Sequence, residues 1–137
     1  MTQEQEIYCC GCGEKVKARL TNGAEIYPHR PDLHGLPFWK HDACGNYVGC
    51  HHKTRDPTRP LGNIPTAEIR KARNHIHAIL DPLWQKAPDS HKRRVRNEIY
   101  DRLTQKLGRR YHTAEIRSLE EAREVWKAVK EIAREAA

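Results

Sequence analysis

The sequence has few of the residues that build a large apolar core. Its 137 residues include one phenylalanine and one methionine, and only 37% of them are hydrophobic. No apolar run approaches the roughly 20 residues that a transmembrane helix needs, and we expect no secretory signal in the polar, acidic residues 1–6. The length predicts one domain, or a small metal module joined to a helical unit. A core this thin favours a structural metal, because metal binding adds folding free energy.

Cysteines are too few and too unevenly placed for a disulfide framework. There are five, and Cys9, Cys10 and Cys12 are crowded together. A secreted disulfide-rich domain usually has an even number of cysteines spread along the chain. The pattern instead favours metal ligation in a reducing compartment, so we expect a cytoplasmic protein.

Two short segments have the spacing of zinc knuckles. Residues 9–13 read C-x-x-C-G and residues 41–45 read H-x-x-C-G. A spacing of two lets the chain turn so that both side chains reach one ion, and the glycine permits the unusual backbone at the tip. Two knuckles supply the four ligands of one tetrahedral Zn²⁺. The predicted ligands are Cys9, Cys12, His41 and Cys44.

Two nearby residues are alternatives for the fourth ligand. If His41 does not bind the metal, Cys50 or His51 could take its place. Cys10 is not expected to bind, because adjacent residues in a knuckle point apart. Three sulfurs and one nitrogen leave no open coordination position, so we predict structural and not catalytic zinc.

A second histidine pattern suggests an enzymatic alternative. His51, His52, Asn63 and His75 loosely follow the order of a ββα-metal nuclease, in which one histidine activates water and the others hold a divalent ion. No acidic residue immediately precedes the His51-His52 pair, and no nucleophile–base pair or phosphate-binding glycine loop is evident. The sequence therefore favours a non-enzymatic protein, with nuclease activity as the weaker alternative.

Periodicity predicts an α+β fold. Apolar residues alternate before Asn22-Gly23, a strong hairpin signal that predicts a return strand over 24–27. With short strands beside each knuckle, residues 1–65 form a zinc-ribbon or treble-clef-like β module. We expect residues 66–137 to form a helical region of about three α-helices packed on this module, with the whole chain as one compact domain.

Capping signals place the three helices. Thr66 is a good N-cap for the first helix, which we expect to end or kink at Pro82. The second runs over about 90–107 and stops at Gly108. The third starts near Ser118, which opens a capping box.

Positive charge is concentrated in one stretch. Residues 90–110 contain eight lysines and arginines against two acidic residues, and so carry +6 of the net +7. Such a stretch is the footprint of a polyanion partner, usually nucleic acid. Arginines on the first helix would extend this surface, and Tyr100 and Tyr111 could add stacking rings. The candidate nucleic-acid-binding residues are Arg70, Arg73, Lys92, Arg93, Arg94, Arg96, Arg109 and Arg110.

Several segments together resemble a known family. They are Tyr-Val-Gly-Cys-His at 47–51, Arg-Pro-Leu-Gly at 59–62, Ala-Glu-Ile-Arg-Lys-Ala-Arg at 67–73 and Asp-Pro-Leu-Trp at 81–84. They are similar to a phage and prophage family of zinc-finger-containing proteins of unknown function, over about residues 7–86. The family has a cysteine where this chain has His41.

The resemblance implies zinc binding, a bacterial host cytoplasm and no catalytic activity. Together with the charge pattern, it predicts a phage or prophage nucleic-acid-binding protein, with DNA favoured over RNA. The chief alternative is a phage accessory protein that binds or inhibits a host protein. Neither a membrane nor a small-molecule substrate is indicated.

Overall fold

The computed structural model describes residues 3–135, which form two compact units. The first unit ends at Ala67 and contains a four-stranded antiparallel sheet, and the second begins at Glu68 and contains three long helices. The predicted α+β class, a zinc-binding β module followed by three helices, is confirmed.

The sheet is a meander in which each strand pairs with the next along the chain. Every pairing is antiparallel, and the order is β1-β2-β3-β4. Each knuckle occupies the turn of one hairpin, the first between β1 and β2 and the second between β3 and β4. The strands are β1 (Glu4–Cys9), β2 (Glu14–Asn22), β3 (Pro37–Lys40) and β4 (Tyr47–Gly49).

One face of the sheet carries the core of the first unit. Its central residue is Trp39, which is completely buried and lies opposite Leu20 and Val48 in the two neighbouring strands. The alternation of apolar residues in β2 is the reason that this face is continuous. The core residues are Ile7, Cys9, Val16, Ala18, Trp39, Val48, Cys50 and Ile64.

Residues 53–65 are part of this unit and not a free connector. The Ile64 amide donates to the Tyr8 carbonyl at 2.8 Å, and the Cys10 amide donates to the Ile64 carbonyl at 2.9 Å. The indole N–H of Trp39 donates to the Thr58 carbonyl at 2.6 Å. These bonds hold the segment against the sheet and against the first knuckle.

The predicted hairpin at Asn22-Gly23 is wrong. The carboxamide oxygen of Asn22 accepts hydrogen bonds from the amides of Ala24 and Glu25, so Asn22 caps a four-residue helix, α1 (Gly23–Ile26). Among the described residues the backbone φ is positive only at three other glycines, whereas an Asn-Gly hairpin turn needs positive φ at both residues. Asparagine favours an N-cap as well as a turn, and here the cap is formed.

The helix α2 (Ala67–Gln85) begins directly after Thr66, and all of it except its first residue belongs to the second unit. This helix continues through Pro82 for three more residues. Of the two outcomes predicted at the proline, an end or a kink, the end is therefore wrong. The next helix, α3 (Lys92–Leu107), stops at Gly108, whose φ of +70° gives a left-handed C-cap. The described helices include none that could cross a lipid bilayer.

The last helix, α4 (Leu119–Glu135), is stabilised by the predicted cap. The Glu121 amide donates to the Ser118 hydroxyl at 3.0 Å, and the Glu121 carboxylate accepts from the Arg117 amide at 2.8 Å. All three helices bury apolar residues at helical spacing. The buried apolar residues of this unit are Ile69, Ile76, Leu80, Ile99, Leu103, Tyr111, Ile116, Ala122, Val125, Ala128, Val129 and Ile132.

Candidate metal centre and nucleic-acid interface

The two knuckles have the same backbone geometry. In the first, the Gly13 amide donates to the Cys9 carbonyl at 2.9 Å, and in the second the Gly45 amide donates to the His41 carbonyl at 2.8 Å. The glycines have φ values of +71° and +76°, in the left-handed region that other residues adopt at a cost. The hairpins thus present two equivalent turns, each with two donor side chains.

The four predicted ligands come together. The sulfurs of Cys9, Cys12 and Cys44 and a ring nitrogen of His41 all lie within 4.8 Å of one another. The Sγ atoms of Cys9 and Cys44 are 3.7 Å apart. The Nδ1 atom of His41 lies 3.5 Å from Cys12 Sγ and 3.2 Å from Cys44 Sγ.

These separations fit the edges of a zinc tetrahedron. With Zn–S distances of about 2.3 Å and Zn–N distances of about 2.0 Å, tetrahedral geometry places two sulfurs about 3.8 Å apart and a sulfur and a nitrogen about 3.5 Å apart. A disulfide needs about 2.05 Å between sulfurs, so the Cys9–Cys44 separation excludes one. The donors are a Cys₃His set for one structural zinc ion.

The ionisation of the thiols also favours a bound cation. Local desolvation and the sulfurs of Cys9 and Cys44 raise the pKa of Cys12 to about 12. Burial alone would raise the pKa of Cys9, but hydrogen bonds from the Cys12 amide and the Cys44 thiol outweigh burial and lower it. Neighbouring thiolates repel one another, and a zinc ion, which binds thiolates, removes that repulsion.

The alternative ligands Cys50 and His51 lie outside this donor group. Cys50 is 4% exposed and belongs to the core of the sheet, where burial raises the pKa of its thiol to about 11. The amide of His51 donates to the Arg59 carbonyl at 2.8 Å, so its backbone closes the loop after β4. His52 and His75, the other histidines of the nuclease pattern, are also outside the donor group.

An arginine that the sequence reasoning missed supports the second knuckle. Arg19 on β2 donates through Nε and Nη2 to both carboxylate oxygens of Asp42, each at 2.9 Å. Asp42 lies between two ligands in the second knuckle. Arg19 also pairs with Glu25, holding the pKa of that carboxyl far below its usual range. No sequence signal links these residues, because the pairing depends on the sheet register.

The predicted exposure of Arg73 is wrong. Only 8% of this residue is accessible, and its guanidinium donates to the Ile116 carbonyl at 2.6 Å. The apolar stripe of α2 includes this position because the long side chain can pack its methylenes and carry its charge to a carbonyl. Arg73 is therefore part of the second unit's interior, whereas Arg70, one turn earlier, is half-buried.

One side of the basic stretch is paired with acidic residues of α4. Arg102 contacts Glu135, Lys106 reaches Glu131 at 3.1 Å, and Arg109 reaches Glu121 at 3.3 Å. Lys92 and Arg94 have local partners, Asp89 at 2.7 Å and Glu98 at 3.9 Å. Much of the positive charge counted in the sequence is therefore offset by nearby carboxylates.

Three arginines of the stretch make no ion pair with any described residue, and we term Arg93, Arg96 and Arg110 the open cationic face. The guanidinium of Arg96 lies over Tyr100, 4.3 Å from the ring centroid. Arg96 and Arg110 line a cleft of about 280 Å³. The other residues of the cleft are Tyr100, Asp101, Thr104, Tyr111 and His112.

Comparison with known protein families gives a match over nearly the whole chain. A family model described as a zinc-finger-containing domain matches residues 5–135. No curated protein and no solved structure matches the chain. The matched range includes all four metal ligands and extends through the three long helices, so the helical unit is as much part of the family as the knuckles.

Proposed function

We propose that this chain, which belongs to the family of zinc-finger-containing domains, is a non-enzymatic nucleic-acid-binding protein of phage or prophage origin. In this proposal one zinc ion holds the two knuckles and so fixes the N-terminal sheet. The second unit makes the contacts to phosphate. DNA is the favoured ligand over RNA, and the cytoplasm of a bacterial host is the expected setting.

The observation that carries the proposal is the division of the basic stretch. Arg102, Lys106 and Arg109 have carboxylate partners on α4, which makes them poor phosphate ligands. The open cationic face has none among residues 3–135, so a phosphate could approach it without displacing an ion pair. Arginine is well suited to this contact, because its planar fork matches two phosphate oxygens.

The aromatic ring beside these arginines fits the same ligand. Arg93, Arg96 and Tyr100 are spaced by three and four residues, and so lie on one side of α3. Tyr100 contacts Tyr111 edge to face, with ring centroids 5.6 Å apart. Cations next to aromatic rings bind single-stranded or distorted nucleic acid by combining phosphate contact with stacking.

Fluorescence anisotropy with labelled single-stranded DNA, duplex DNA and RNA tests the proposal. We expect reversal of the open cationic face, R93E/R96E/R110E, to weaken binding at least tenfold at low salt. The slope of log affinity against log salt should become shallower by about 2.7 on duplex DNA and by about 2.1 on a single strand, because each of the three lost phosphate contacts removes about 0.9 or about 0.7. Zinc content and helical circular dichroism should not change.

A matched control reverses the charge of three exposed lysines outside the open cationic face. K15E/K53E/K127E changes the net charge by the same amount but leaves the open cationic face intact. It should reduce affinity far less than the arginine variant. Equal losses in the two variants would mean that only net charge matters, and no binding by the wild-type protein at low salt would reject the proposal.

A second candidate is an accessory protein that binds or inhibits a host protein. It is favoured by two large apolar side chains, Leu119 and Trp126, which are 41% and 40% exposed on α4. Pull-down from a bacterial lysate, with and without nuclease treatment, separates the two candidates. A protein retained after nuclease treatment favours the accessory function.

A further inference from the structure

An apolar groove runs between α2 and α4 in the second unit. Ala72, Ile76 and Ala122 contribute to its lining, and Leu119 and Trp126 line it as well. Its volume is about 270 Å³, larger than the roughly 150 Å³ cavity that accepts a benzene ring. The groove is therefore large enough for one bulky apolar side chain.

The exposed residues of this groove lie beside the core stripe of α4. Val125, Val129 and Ile132 are completely buried. Leu119 and Trp126 are seven residues apart, so they share another side of the helix, about two turns long. Three large apolar side chains of the described residues are at least 40% exposed, and two of them line this groove. Such a concentration is typical of an interaction site.

The charges around the groove are basic. Arg123 and His75 line it, and the Lys130 ammonium lies 4.3 Å from the centroid of the Trp126 ring. No acidic residue is among the described residues that line it. An occupant that complements this lining has an apolar anchor flanked by carboxylates.

We propose that this groove binds an acidic amphipathic helix of a partner protein, with one large apolar side chain inserted between α2 and α4. A groove between two helices is suited to a third helix that presents apolar residues at a spacing of three or four. A second copy of this chain is disfavoured, because pairing through the same face would bring Arg123 and Lys130 near their own counterparts. Nucleic acid is disfavoured because the apolar lining offers phosphate few donors.

The test uses two designed peptides of about 16 residues, long enough to form a helix on binding. Both have leucines at helical spacing on one face, and the remaining positions are rich in glutamate in one peptide and in lysine in the other. Anisotropy of the labelled peptides measures affinity. The indole resonance of Trp126, identified with the W126F variant, reports the site. We expect the acidic peptide to bind at least tenfold more tightly and to shift this resonance.

Two variants probe the charge and the shape of the groove separately. R123E should lower the affinity for the acidic peptide at least tenfold by reversing a charge at the groove. A72L should lower this affinity by a similar factor, because the larger side chain would fill the groove. The variant R93E/R96E/R110E is the control, because it alters a different face and should keep peptide binding. This proposal is independent of nucleic-acid binding, so R123E should leave DNA affinity nearly unchanged.

Several results would overturn the inference. Equal binding of both peptides would remove the charge argument, and a Trp126 resonance unaffected by the acidic peptide would remove the site. A shift of that resonance caused by DNA would assign the groove to nucleic acid. A shift caused by raising the protein concentration alone would assign it to self-association.

Discussion

His41 is the residue on which the metal assignment depends most. Its Nδ1 atom lies 3.2 Å from Cys44 Sγ and 3.5 Å from Cys12 Sγ, so it closes a donor set that would otherwise have three sulfurs. Cys50 and His51, the alternatives, lie outside the group. Arg73 is the opposite case. It was predicted to contact nucleic acid, but its side chain is buried in the second unit. Each position gives a direct test.

Substitution of His41 should release zinc. H41A removes one of four ligands, so we expect the metal affinity to fall by several orders of magnitude and the zinc content per chain to drop well below one after dialysis. H41C should keep one zinc ion, since a thiolate can occupy the same corner. Metal analysis by mass spectrometry measures both. H51A and C50A are the controls and should retain zinc, and an H41A protein with full zinc occupancy would contradict the assignment.

Truncation of Arg73 should affect stability and not ligand binding. R73A removes a charge-assisted hydrogen bond to the Ile116 carbonyl together with the packing of a buried side chain, which costs about 2 to 3 kcal/mol. Urea denaturation followed by circular dichroism measures the change. The neighbouring exposed variant K71A should cost less than about 0.5 kcal/mol. A loss of DNA affinity in R73A without loss of stability would restore the phosphate-binding role.

At the scale of elements, the molecule uses glycine for turns that other residues enter with strain. Gly13 and Gly45 end the two knuckles, and Gly108 ends α3, all with φ near +70°. In each case the space that a Cβ would occupy is open. The cost of a substitution there therefore comes from the backbone and not from a clash, which makes the three positions comparable.

Alanine substitutions at these three glycines should distinguish the effect of the knuckle turns on zinc affinity from the effect of the helix C-cap on stability. Each substitution should cost about 1 kcal/mol, because the left-handed conformation is unfavourable for a residue with a Cβ. G13A and G45A should also lower zinc affinity in a chelator competition, whereas G108A should lower only the thermal midpoint. Equal zinc affinity in all three variants would show that the knuckle backbone does not depend on its glycine.

At the scale of the whole molecule, the chain divides into a unit ending at Ala67 and a unit beginning at Glu68. All four metal ligands belong to the first, and the long helices belong to the second. Among the described residues of the first unit, the core cluster that contains Trp39 has only eight buried members, two of them cysteines, so the metal should supply much of the stability of this unit. The second unit has its own apolar core.

Removal of zinc should unfold the two units unequally. With a strong chelator we expect the sheet to lose its ordered structure while most of the helical circular dichroism remains. Trp39 should become exposed, and its fluorescence should shift to the red. Acidification should act similarly, since metal binding requires deprotonated ligands. The C9S variant lacks one metal ligand and provides a metal-poor reference. Complete loss of helicity on chelation would show that the second unit depends on the first.

The sequence by itself determined the metal site and the order of the two parts, a zinc-binding β module followed by three long helices. Ligand spacing and the following glycine are local features, so Cys9, Cys12, His41 and Cys44 could be identified without a structure. Alternation and capping likewise identified β2 and α4. The Asn22-Gly23 signal failed because asparagine serves equally as a turn residue and as an N-cap, and the choice depends on β2 pairing with β3.

Only the tertiary structure decided which of the basic side chains are available to contact a ligand. The sequence counts eight lysines and arginines in residues 90–110, but it does not reveal that α4 offsets one side of α3 or that Arg73 donates inward to Ile116. Arg19 reaches Asp42 for the same kind of reason. Ion pairing and burial depend on residues far apart in the chain, and local sequence patterns do not encode which of them meet.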